Sequence, residues 1–103
     1  MMNRSAEDLI NSALVEVSSL MRDELSKNAP IEPGSTLDQS GLKDGASIIA
    51  DYLRHGEPGV AFEHLLYMVR EPPLEVSDEC FELIARAGRA LGFEANSWQV
   101  LRG

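Results

Sequence analysis

The chain has 103 residues, a single cysteine, and 17 acidic against 9 basic residues, for a formal net charge of −8. That length supports one core and one domain, expected to bury roughly two-thirds of its unfolded surface without metal or disulfide. The acidic excess argues against direct nucleic-acid binding, which needs clustered Lys and Arg, and the lone Cys80 excludes an internal disulfide or a multi-cysteine zinc site.

Hydrophobic residues make up 44% and charged residues 25% of the chain, a balance that places it among ordinary globular domains. No apolar run approaches the ~20 residues of a membrane span, and an acidic surface would be repelled by anionic lipids. The start "MMNRSAEDL" lacks an apolar signal core. These features predict a cytoplasmic protein. The charge itself has two readings: simple solubility, or steering toward a basic protein partner.

In chain order, the first predicted element is an amphipathic helix over roughly Ser5 to Ser26. Leu9, Ile10, Ala13, Leu14, Val17, Leu20, Met21 and Leu25 recur every three or four residues, the spacing of one buried face. Ser5 suits the N-cap, and Glu7 and Asp8 suit the positive end of the dipole. "NAPIEPGSTLDQSG" then breaks the pattern, so Asn28 to Gly41 reads as a surface loop. A shorter helix is predicted from about Asp44, as N-cap, to His55, with Ala46, Ile48, Ile49, Tyr52 and Leu53 inward. Gly56 fits the left-handed position past its end.

Pro58 marks the first position of a third helix, and Pro72 and Pro73 stop it near Glu71. Its apolar face is predicted to hold Val60, Ala61, Leu65, Met68 and Val69, widened by Phe62 and Leu66. The fourth helix has Ser77 as N-cap, Asp78 and Glu79 in its first turn, and a Val76–Phe81 staple. Its stripe is Phe81, Ile84, Ala85, Gly88 and Leu91, and Gly92 ends it. The tail "FEANSWQVLRG" carries Trp98 and Leu101, which can fold back on the bundle. The fold expected is all-α: a small bundle of about four helices with a short C-terminal tail packed on it. Short turns place the last three helices as antiparallel neighbours.

The stretch "RHGEPGVAFEHLLYMVRE" holds both histidines, three glutamates and a compact apolar run, and so raises the question of a metal or catalytic centre. His55 and His64 lie nine residues apart on different predicted helices, whereas zinc ligands on one helix prefer spacings of three to five. "HGE" matches half of a nucleobase-deaminase signature, but the P-C-x-x-C half is absent. No G-x-S-x-G elbow or phosphate loop occurs. With 17 acids, some carboxylate pair will meet a catalytic spacing by chance. Cys80 would gain from the dipole of helix four, but Asp78 and Glu79 oppose that, and a small buried residue is the simpler role. The expectation is a non-enzyme without cofactor or metal.

"YLRHGEPGVAFEHLLYMVRE", "VSDECFELIARAGRALGF" and the Trp98 to Leu101 tail together resemble the MafI-like immunity proteins of bacterial polymorphic toxin and contact-dependent inhibition systems. The resemblance covers about Ala46 to Leu101 and is carried by Gly56, Glu57, Ala61, Glu63 and Leu65. Helix one matches only as an amphipathic helix of suitable length. The resemblance implies a small helical protein that neutralises a cognate secreted toxin by tight binding, without catalysis. Such toxins are frequently nucleases.

A nuclease cleft lined with Lys and Arg would accept carboxylates in place of phosphates, with an aromatic anchor slowing release. On that reading the candidate toxin-binding residues are Asp51, Glu57, Glu63, Tyr67, Glu71, Glu75 and Asp78, with Tyr67 as the anchor. Each has a plainer role: Glu57 suits a cap of helix three, Glu63 and Arg70 suit a solvated face, and Tyr67 suits the core. The partner expected is a basic, nuclease-type toxin domain. An acidic helical adaptor is the alternative, and a residual apolar stripe on helix one leaves a homodimer open.

Overall fold

The computed structural model describes residues 5–27, 33–34, 42 and 44–102. Among them the chain is all-α: α1 spans Ala6–Lys27, α2 Gly45–Arg54, α3 Pro58–Arg70 and α4 Asp78–Ala90. A short helix α5, Asn96–Gln99, and a 3-10 turn, Val100–Arg102, follow. Of the loop expected over Asn28 to Gly41, all but Pro33 and Gly34 lies outside the described residues.

The helix ends show which sequence signals act and which do not. Ser5 Oγ accepts from the Asp8 amide at 3.1 Å, and Ser77 Oγ accepts from the Cys80 amide at 3.1 Å. Both serines fill the N-cap role as expected. The C-termini of α2 and α4 share one device. Gly56 and Gly92 adopt φ of +72° and +82°, a region open to glycine because it has no Cβ. Gly56 N–H donates to Leu53 O at 3.1 Å and Glu57 N–H to Tyr52 O at 2.9 Å. Gly92 and Phe93 repeat the pair onto Arg89 O and Gly88 O, so both helices end in a Schellman turn.

Two expected caps are corrected. Asp44 and Glu57 occupy the N-cap positions of α2 and α3, but neither side chain accepts a capping bond. Their backbones explain this. Asp44 has φ −101°, ψ 16° and Glu57 φ −118°, ψ 63°, whereas Ser77 sits at −66°, 163°, the extended geometry that turns a side chain back on the amides. At α3, Pro58 takes the first helical position, where its missing N–H costs nothing.

All the helices feed one apolar cluster. Leu9, Ile10, Ala13, Leu14, Val17 and Met21 of α1 are buried in it, with Ile49 of α2, Phe62, Leu65 and Met68 of α3, and Ile84 of α4. Trp98 is 3% exposed and Leu101 packs at the cluster's edge, so the tail folds back as expected. Val76 and Phe81, the pair expected as a staple, both pack on the core. Two inward assignments fail: Ala46 is exposed, and Val60 is 41% exposed. Val60 lies about 140° around α3 from Leu65 at 100° per residue, outside an apolar stripe of ordinary width.

The packing order also departs from a run of antiparallel neighbours. α2 pairs with α3, but α4 packs chiefly on α1, and α1 also packs on α3. The connection through Leu74 to Ser77 is not helical and leads the chain into α4, which packs on α1. α1 is therefore the hub of the bundle, and its 22 residues are the longest helix.

One polar link fixes α4 on that hub. Glu16 of α1 accepts from the Ser77 amide through Oε2 at 2.6 Å and from the Ser77 hydroxyl through Oε1 at 2.7 Å. A carboxylate there also faces the positive end of α4. Because the link is exposed, a Glu16→Ala, Ser77→Ala double-mutant cycle is expected to give a coupling of about 0.5–1.5 kcal/mol in urea unfolding. Strict additivity would show that the link does not hold α4 in place.

Candidate functional site

The seven candidate residues are all at least partly accessible, and they are strung along α3 rather than gathered at one point. Asp51 stands one turn before the α2–α3 junction, and Glu57 stands at that junction, both exposed. Glu63, Tyr67 and Glu71 follow at intervals of four, which places them along one side of α3. Glu75 and Asp78 are exposed on the connection into α4 and on its first turn. From Glu57 to Glu71 the helix rises about 20 Å, too long for a single small-ligand site and suited to a protein interface.

Local partners grade these residues. Asp51 is held by its own helix: Arg54 Nη2 donates to Asp51 Oδ1 at 3.1 Å. Exposed pairs of this kind are worth about 0–1 kcal/mol, so this one adds little to stability. Glu57, without a capping bond, presents its carboxylate at the junction. Tyr67 is partly buried against the core, and its ring lies 5.5 Å from the His64 ring at a 43° tilt. That seat packs one side of the ring while leaving part of it accessible. Arg70 is exposed on the same helix, so the face carries mixed charge.

The two histidines, His55 and His64, stay apart in role. His55 is the C-cap of α2, and its Nδ1 lies 2.7 Å from Asp51 O. A carbonyl can only accept, so Nδ1–H donates, and the imidazole satisfies a helix-end carbonyl. His64 belongs to α3 and packs beside Tyr67. Among the described residues, no group of three His, Cys, Asp or Glu side chains converges as a metal site would require. Cys80 is buried, with Sγ 3.7 Å from Ala13 O, which agrees with a packing role. No helix among the described residues is long and apolar enough to cross a membrane.

A second surface escaped the reading of the sequence. Between α1 and α4 runs a groove of about 610 Å³ lined by Ser12, Val15, Glu16, Ser19, Glu79, Cys80 and Leu83. Val15 is 73% exposed there. Its signal was present in the sequence as a valine off the apolar stripe of α1. The partner wall was hidden, because α4 is some sixty residues further along the chain. Compared with family models, curated proteins and solved structures, the chain matches none of them.

Proposed function

We propose that this chain is an immunity protein that binds and neutralises a cognate secreted bacterial toxin, of nuclease type, as its resemblance to the MafI-like immunity proteins implies. The observation that carries the reading is the state of the motif glutamates. Glu57 occupies an N-cap position without capping, and Glu57 and Glu63 are both exposed, so neither is consumed by the fold. With Glu71 and the seated ring of Tyr67 they form a rigid helical edge that meets a basic cleft with carboxylates flanking an aromatic anchor. Binding suffices for this role, with no chemistry by the immunity protein itself, and it is carried out in the cytoplasm that the toxin invades.

Co-expression with a toxin domain encoded by a neighbouring gene tests the reading. Growth is expected to be restored and a complex to co-purify. Persistent growth inhibition while the protein is abundant and folded overturns the reading for that pair. The electrostatic part makes a separate prediction: association slows about tenfold as salt rises from roughly 50 to 500 mM. Stopped-flow rates that ignore salt would contradict steering. Tyr67→Ala is expected to raise the dissociation rate about tenfold or more, the signature of a central anchor.

A further inference from the structure

The groove between α1 and α4 has the make-up of a docking site distinct from the α3 edge. Its apolar part is Val15, 73% exposed in mid-helix, facing Leu83 across the buried Cys80. Its polar part is Glu16 and Glu79, and no lysine or arginine lines it. A single exposed valine is ordinary on a surface. Here the valine borders a concavity of about 610 Å³ whose charged lining is entirely acidic, which is the arrangement of an apolar centre with a polar rim.

The Glu16 carboxylate is also fixed in place. Ser77 donates to both of its oxygens, at 2.6 and 2.7 Å, which orients the group while leaving lone pairs for a further donor. The volume fits a few side chains rather than a whole helix. It suits apolar residues spaced three or four apart on a helix that lies along the groove.

We infer that the α1–α4 groove docks a cationic amphipathic helix of a partner protein, its apolar side chains between Val15 and Leu83 and its Lys or Arg against Glu16 and Glu79. Charge selects this occupant. A second copy of the chain, with net charge −8, would set carboxylates against carboxylates, and nucleic acid or an anionic membrane would be repelled in the same way. The inference goes beyond toxin neutralisation, since it concerns a second surface and holds for any basic helical partner.

The test uses the full chain and a synthetic peptide of about 14 residues, with leucines at helical i, i+3, i+4 and i+7 positions and lysines elsewhere. A scrambled peptide of the same composition is the control for bulk charge attraction. The amphipathic peptide is expected to bind at least about tenfold more tightly than the scrambled one and to shift the Val15 and Leu83 methyl resonances. Val15→Ser and Glu79→Gln are expected to weaken it several-fold. Val15→Ser leaves the thermal midpoint in place, because the side chain it trims is largely in solvent. Equal affinity for the two peptides overturns the inference, as do methyl shifts confined to the α3 edge or an unaltered affinity in Val15→Ser. Failure to bind any toxin domain would refute the immunity role while leaving this peptide result to stand or fall alone.

Discussion

Replacing Phe62 with alanine is expected to destabilise the protein by about 3–5 kcal/mol, a large share of the roughly 5–15 kcal/mol that holds a domain folded. Phe62 is fully buried on α3, and its ring meets Phe93 at 4.9 Å between centroids with a 51° tilt. Its Cζ also lies 3.0 Å from where a Cβ on Gly88 of α4 would stand. α3 and α4 each pack more extensively on another helix, α2 and α1 respectively, so this ring is a principal filler between them. Removing it leaves a cavity that the flanking helices, each tied to α1, cannot collapse to fill. Urea unfolding measures the loss, and Phe62→Leu is expected to cost markedly less. A loss below about 1 kcal/mol for Phe62→Ala would show that the site relaxes or that the ring does not bridge the helices.

Trp98→Ala is the second large effect, again about 3–5 kcal/mol, and it carries a sharper corollary at Gly88. α5 is four residues long, far too short to persist without tertiary support. What holds it is the Trp98 ring, 3% exposed, seated over Gly88 with the Arg89 guanidinium carbon 6.0 Å from the ring centroid. A Cβ on Gly88 would overlap that ring. Gly88→Ala is therefore expected to cost about 1–3 kcal/mol in the natural chain. In the Trp98→Ala background the overlap with the indole is gone and only Phe62 Cζ, 3.0 Å away, must give slightly. Alanine's helix preference of about 1 kcal/mol over glycine remains, so the cost should fall to about zero. Gly45→Ala is the control. The nearest atoms its Cβ would meet are Sδ and Cε of Met68, the far end of a flexible chain that can move aside, so a change within about 1 kcal/mol is expected. Additive losses at Gly88 and Trp98 would contradict the account of the tail.

The helices were legible in the sequence because their signals are local. The α1 stripe, the serines at 5 and 77, Pro58 and the glycines at 56 and 92 act within a turn of themselves, and each performs its expected role. Asp44 and Glu57 have the right chemistry and place for caps, but their backbone angles do not aim the side chains at the amides, and no residue type encodes that. Tertiary order was less legible. The Glu16–Ser77 link joins positions 61 apart, and nothing in either neighbourhood announces the other. The central place of α1 likewise depends on how a non-helical connection runs, which hydrophobic periodicity does not specify. Of the candidate site, the alignment of Glu63, Tyr67 and Glu71 follows from their spacing on a helix. The partial burial of Tyr67, the pairing of Asp51 with Arg54, and the groove beside Val15 required the packed structure.

The proposed role comes down to whether this chain switches off a toxin by binding alone, and titration measures that most directly. Purified protein added to the purified toxin domain is expected to reduce the toxin's catalytic activity linearly, reaching zero at one equivalent, with no change to substrate or to the inhibitor itself. Full toxin activity in the presence of a large excess of folded protein would contradict the account.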